Sequence, residues 1–316
     1  MENSRPSIIG DFEILLDDFF LNLNPETGLE PVERKKVLSV INSFEDGEWR
    51  YQEFQNFIWD NIAETALSYD DRNALINQSH STLIEAAKNL RLVDNPNTET
   101  EGSELAEILL YGVMKHHFKA LPAVPKIFYK QNPRDNAKGA DSVHVILESD
   151  DSFTLWFGES KFYNSIEDAR LNRIIDSVEE SLTTEKLKKE NRIITNVQDL
   201  RSILKGKEEI YEKIKKLLSK STSVDQIKAK LNIPILILHQ CEITNTCDQM
   251  SEDYKKQIMN YHLERAGSYF KKQINKITSK VFNYEEITFH LILFPVPQKR
   301  PIVEKFLKNV EFYKNQ

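Results

Sequence analysis

Apolar residues recur at three- and four-residue spacings through much of the first ninety positions. That period predicts helices over 33–43, 50–68 and 71–92. Phe54, Phe57, Ile58 and Ile62 mark the apolar face of the second; Leu75, Ile76, Leu83, Ile84 and Leu90 mark that of the third. Segment 10–22, GDFEILLDDFFLN, fits a strand and a helix equally well. The polar stretch 93–102, VDNPNTETEG, holds Pro96 and Gly102 and reads as a boundary. The chain is thus expected to divide into a mainly helical accessory region over 1–95 and a larger unit over 96–316.

Beyond the boundary the period changes. A helix is expected from Ser103, as N-cap, to about Lys119. A strand is expected near Lys126–Tyr129, between Pro125 and the turn-rich QNPRDNAKG. Two longer strands follow near Ala140–Glu148 and Phe153–Phe162, separated by the turn SDDS. A helix from Ser165 to about Leu182 leads into a Lys-rich helical insertion, about 185–231, with helices at 185–190, 197–205, 207–219 and 223–231. The run IPILILHQ at 233–240 has the continuous apolarity of a fully buried strand. A helix over 251–278, a strand over 286–294 and a helix after the prolines at 295–301 complete an α/β core.

Charge alters this outline more than composition does. The net charge of −7 speaks at first against a nucleic-acid protein. Yet residues 1–100 hold 8 Lys and Arg against 19 Asp and Glu, whereas segment 185–230 holds 13 basic against 7 acidic residues. Attraction to phosphate is local, so a basic surface late in the chain can still engage phosphates, although Lys-rich helices are also common as plain solvated faces. Cys241 and Cys247 have neither a second cysteine pair nor a nearby His repeat to complete a zinc site, and read as free thiols. No run of about 18 apolar residues exists and the first residues are acidic, so a cytoplasmic protein without a membrane span is expected.

The candidate chemistry lies in the two strands around SDDS. Metal-assisted phosphodiester cleavage needs oxygen ligands that leave room for water and a phosphate oxygen, and a positive group beside them. Glu159-Ser160-Lys161 on a strand puts Glu159 and Lys161 on one face, with the Ser160 carbonyl as a further ligand. Asp141, opening the preceding strand, shares a face with Val143, Val145 and Leu147 and supplies the second carboxylate. The two faces coincide only if paired residue numbers sum to an even value, which demands an odd-membered connection or a bulge near 149–152. Glu-x-Lys alone is common in surface ion pairs; its conjunction with Gly139-Ala140-Asp141 and an apolar strand is what singles it out.

Glu107 adds a fourth member. It is flanked by Leu105, Ala106, Ile108, Leu109 and Leu110, and a carboxylate in such a setting calls for a partner or a metal. Glu104 shares its face, but in the first turn it already suits the helix dipole, so it is the substitute candidate. His116 and His117 read as cap or packing residues, and His239 as satisfied within its strand. His144 falls on the strand face away from Asp141. Arg170 and Arg173 have two readings, phosphate contact or pairing with Glu167 and Asp176.

Together SELAEILLYGVMKHHF, KGADSVHVIL and LWFGESKFYNSIEDA resemble the DUF1837 family, which includes the HamA nuclease-like subunits of Hachiman anti-phage defence systems. The resemblance covers roughly residues 100–310 and is strongest over the Glu107 helix and the two strands. It implies a PD-(D/E)xK restriction-endonuclease-like core, a mixed sheet flanked by helices, that degrades DNA with Mg²⁺, or Mn²⁺ in its place. It also implies a helicase partner of the HamB type that senses aberrant DNA and restrains the nuclease until it is released. By position, Glu107, Asp141, Glu159 and Lys161 match the family's acidic and Lys pattern. The acidic first hundred residues would then face the helicase or cover the basic site. A catalytically silent nuclease-like subunit that binds helicase or DNA is the alternative, and a stand-alone restriction or repair nuclease a third reading.

Overall fold

A computed structural model of the chain describes residues 8–91, 102–130, 139–148, 152–196 and 198–316. Most of the boundary expected at 93–102 and of the turn after Lys130 lies outside these residues. Eight strands form one mixed sheet: β1 (Ile8–Ile9), β2 (Phe12–Phe19), β3 (Lys35–Ile41), β4 (Leu121–Val124), β5 (Ser142–Leu147), β6 (Phe153–Tyr163), β7 (Leu231–Gln240) and β8 (Thr288–Val296). Their spatial order is β1-β2-β3-β8-β7-β6-β5-β4. The central four, β3, β8, β7 and β6, run parallel; antiparallel strands extend the sheet at both edges.

Helices cover both faces, as a parallel sheet buried on each side requires. One face carries α1 (Tyr51–Ala66), α2 (Ser103–His116) and α7 (Lys299–Lys314), packed on Leu38, Leu236, Leu238, Ile292 and Phe294. The other carries α4 (Asp168–Ser181), α5 (Thr184–Asn196) and α6 (Glu252–Ile277), packed on Val143, Leu155, Phe157, Ile235 and Leu291. The short α3 (Lys126–Lys130) follows the edge strand β4. The Lys-rich insertion belongs to the second layer, because Leu187, Ile194, Ile210, Ile214 and Ile227 are buried in the same core.

The expectation of a mainly helical region over 1–95 is corrected. Residues 8–41 supply three strands, and β3 pairs in parallel with β8, Val37 opposite Leu291. Segment 33–43 imitated a helix because β3 is buried on both faces: Val37, Leu38, Val40 and Ile41 are all buried, interrupted only by Ser39, and carry no alternation. Segment 10–22 resolves into β2 and a single helical turn, Phe20–Leu23. Segment 71–92 is two helices, Tyr69–Ala74 and Ser79–Lys88, separated around Asn77, whose φ is 65°.

Two expectations near the site also change. The strand is Leu121–Val124, and Lys126–Lys130 is helical. Pro125 has no N–H for the ladder, while its fixed φ suits entry into a helical turn, and its carbonyl accepts from Tyr129 N–H at 3.2 Å. The cap of α2 is Gly102, not Ser103. Gly102 has φ +81°, and a Cβ there would lie 2.9 Å from Val303 and 3.0 Å from Phe162, so both its conformation and its surroundings call for glycine.

Candidate active site

The β5–β6 hairpin has the parity its two faces demand. Ser142 lies opposite Gly158, Val143 opposite Phe157 and Leu147 opposite Phe153, leaving the odd-membered connection 148–152. Asp141 precedes this ladder and donates its N–H to the Gly158 carbonyl at 2.8 Å. Its Oδ2 accepts from the Ser160 N–H at 3.0 Å and the Ser160 hydroxyl at 3.3 Å. The Lys161 ammonium stands 3.8 Å from Asp141 Oδ2 and 3.8 Å from Glu159 Oε2, so Asp141, Glu159 and Lys161 share one side of the hairpin head. Ser160 is buried between them, opposite Leu236 of β7.

Glu107 reaches this head from the other layer. Gly158 makes the approach feasible: a Cβ there would lie 2.8 Å from Leu110 Cδ2 of α2 and would collide with the Ser142 hydroxyl. With the helix seated this closely, Glu107 is 6% exposed and both of its oxygens accept from Lys130 Nζ, at 2.8 and 2.7 Å. The same ammonium lies 3.7 Å from Asp141 Oδ1. Glu107, Lys130, Asp141, Lys161 and Glu159 therefore form one alternating chain of charge. Glu104 instead accepts from the Arg91 N–H at 2.9 Å.

Lys130, Lys126, Tyr111 and Glu190 are the residues that sequence reasoning missed. One turn beyond Glu107, the Tyr111 hydroxyl donates to the Val124 carbonyl and accepts from the Lys126 N–H, which fixes the entry of α3. The Lys126 ammonium, wholly buried, pairs with Glu190 of α5 at 2.6 Å. The other Glu190 oxygen accepts from the Ala140 N–H at 3.0 Å, and any Cβ at Gly139 would collide with that carboxylate. Glu190 thereby anchors the backbone that presents Asp141. A signal existed: Glu190 shares a helical stripe with Leu187 and Ile194, as Glu107 sits among apolar residues in its own helix. Lys126 and Lys130 share a helical face only once that segment is read as helix.

Burial sets the electrostatics. It pushes the Glu159 carboxyl up to about 8, with Asp141 adding repulsion and Lys161 and Lys130 opposing. It pushes Glu107 up to about 7 against the pull of Lys130, with Asp141 again adding. Burial alone would lower the Lys130 ammonium, but Glu107 and Asp141 outweigh it and hold it charged. These groups border an open cleft of about 350 Å³, lined on one side by Lys130, Gly139, Asp141 and Glu159 and on the other by Ser177 and Ser181 of α4 and Lys186 of α5.

Such a cluster suits a hard divalent cation in donor type, since its ligands are oxygens. Among the described residues, no three carboxylate, imidazole or thiolate groups stand close enough to share one ion. The spaces between the carboxylates are taken by two ammonium groups.

The remaining candidates lie apart. His144 is buried on the other strand face against Tyr111, ring centroids 4.5 Å apart, and burial pushes it down to about 3. His116 meets Asn61 at 3.1 Å, and His117 meets Asp17 at 3.3 Å. Of the acids expected near Arg170 and Arg173, Asp176 is paired with Lys276. Cys241 and Cys247 are free thiols. Among the described residues, no helix is long and apolar enough to cross a membrane.

Comparison with curated proteins gave no match. A family model described as HamA matches residues 17–310, which takes in β3, β8 and every element of the acidic hairpin head, and so reaches well into the region expected to be accessory. The chain belongs to the HamA family.

Proposed function

We propose that this protein is a metal-dependent DNA nuclease of PD-(D/E)xK type, acting as the effector of an anti-phage defence system together with a helicase that restrains it. Membership of the HamA family points to the defence role. The observation that carries the nuclease reading is the sharing of Lys161 between Asp141 and Glu159 at 3.8 Å each, the two carboxylates lining an open cleft.

In this reading Asp141, Glu159 and Glu107, with the Ser160 carbonyl, are the groups that would hold Mg²⁺ or Mn²⁺. Such an ion, when bound, supplies an activated water and offsets charge on the phosphoryl oxygen. The Ser160 N–H and hydroxyl hold Asp141 in one orientation. Lys161 orients the attacking water or offsets the charge that develops on the phosphate. Across the cleft Lys186 is paired with Glu180 at 2.7 Å, and the Ser177 and Ser181 hydroxyls donate to the Arg173 and Val178 carbonyls, so a flanking phosphate would draw on these groups by exchange with those partners.

A catalytically silent subunit that binds helicase or DNA is the second reading, and the two ammonium groups seated among the carboxylates favour it. The two part in a DNA degradation assay with Mg²⁺, with and without a helicase partner, comparing wild type with Glu159→Ala and Lys161→Ala. Degradation by wild type that both substitutions abolish supports the nuclease. Degradation surviving both excludes this mechanism, and none under any condition leaves the binding subunit.

A further inference from the structure

Lys130 holds both oxygens of Glu107 at 2.7–2.8 Å and approaches Asp141 to 3.7 Å. A divalent cation serving these two carboxylates would compete with that ammonium, because both are cations drawn to the same oxygens and like charges repel at close range.

The two ends of α3 differ in a way that bears on this. Lys126 is wholly buried and locked to Glu190, while the helix entry is pinned by Tyr111. Lys130, one turn later, closes the helix and lines the open cleft, its side chain 23% exposed. Its four-carbon stem can carry the ammonium out into the cleft while the helix stays anchored. Nothing comparable holds for Lys161, which is shared at the longer 3.8 Å between two carboxylates and is bidentate to neither.

We propose that Lys130 is a tethered competitor of the divalent cation: it occupies Glu107 and the near side of Asp141 until an ion displaces it into the cleft. The inference rests on the metal-site reading above and adds an exchange to it. Loading then costs the Lys130–Glu107 pair, so the resting site has a weaker hold on metal than its three carboxylates alone would have. The displaced ammonium ends up facing the cleft, where a DNA phosphate would receive it.

Mn²⁺ binding to the full chain, followed by the loss of the free-ion electron paramagnetic resonance signal, tests this without any cleavage assay. Lys130→Met is expected to bind Mn²⁺ about tenfold more tightly than wild type, because a competing charge is gone. Without metal the same variant is expected to melt below wild type, since Glu107 loses its partner, and the gap should close on adding Mn²⁺. Lys130→Arg, whose planar fork grips a carboxylate more firmly, is expected to bind Mn²⁺ more weakly than wild type. Asp141→Asn is expected to remove binding in either background. If Lys130→Met binds no more tightly than wild type while Asp141→Asn still removes binding, the exchange is overturned and the metal site stands. If Asp141→Asn changes nothing, the metal site itself falls and the exchange with it. Should Lys130→Met not fold, Lys130→Arg decides, and tighter binding by that variant overturns the exchange.

Discussion

Two buried polar clusters lie on this sheet, and they solve the cost of burial in opposite ways. At the hairpin head, Glu107, Asp141 and Glu159 meet two ammonium groups beside an open cleft. Deeper in the same layer, Ser39 of β3, His262 of α6 and His239 of β7 form a closed, neutral relay. The Ser39 hydroxyl lies 2.7 Å from His262 Nδ1, the two imidazole Nε2 atoms lie 3.1 Å apart, and His239 Nδ1 lies 3.2 Å from the Gln240 carbonyl. That carbonyl only accepts, so His239 Nδ1 carries a proton, His262 Nε2 donates to His239, and Ser39 donates to His262 Nδ1. Each ring nitrogen is satisfied with no net charge, and burial pushes His239 down to about 4 and His262 well below its ordinary value. The relay has nothing left to offer a ligand. The hairpin head instead gathers three carboxyl and two ammonium groups beside an open cleft, two of the carboxyls pushed well up by burial, which is the condition of a site that still has something to bind.

Four experiments sharpen this contrast, the largest expected effect first. Glu159→Ala should reduce DNA degradation by about 10³-fold while the protein stays folded, and His262→Ala should leave degradation per folded molecule unchanged; single-turnover assays on DNA check both. Glu190→Ala should cost about 3–5 kcal/mol in a urea titration, because it strands the buried Lys126 ammonium. His262→Ala should cost about 2–4 kcal/mol by the same measurement, through the cavity and the unpaired nitrogen left on His239.

The smallest effect is the pH profile. His239 at about 4, with His144 and His290 at about 3, binds fewer protons folded than unfolded. Their stability is present above the ordinary 6.5 and is lost as pH falls below it, at up to ~1.4 kcal/mol per unit for each. Glu107 at about 7 and Glu159 at about 8 act in reverse: their contribution is present below the ordinary 4.5 and is lost as pH rises through those values. Denaturant midpoints should therefore peak near pH 6.5. Glu159→Gln should flatten the alkaline side and steepen the acid side above about pH 4.5.

The hairpin was legible because its information is local. Alternation on β5 and β6, with charge at one end of each face, predicted the even register, and Ser142 lies opposite Gly158. Glu107 was legible because an acid inside an apolar stripe must be answered by something, and Lys130 answers it. Lys130 itself was hidden by the strand assigned to Lys126–Tyr129, since the i, i+4 pairing of two lysines exists only on a helix. β3 was hidden because a strand buried on both faces loses the alternation that would mark it. Neither its parallel partner β8 nor the Ser39–His262 bond leaves any trace in neighbouring residues. The basic balance of the insertion was plain, but its buried stripe, which seats Glu190 behind Asp141, needed the packed structure to appear.

The pairing of β3 with β8 has a consequence for the birth of the molecule. Lys35 lies opposite Phe289, so two central neighbours of the sheet are roughly 250 residues apart in the chain. On a ribosome the third strand must wait, unpaired on that side, until residues 288–296 have emerged. The strand bearing Glu159 likewise waits for β7, whose Ile235 lies opposite it. A chain with the chemistry proposed here would be harmless early in its making, because the strand that carries Glu159 gains its second neighbour only once residues 231–240 have emerged.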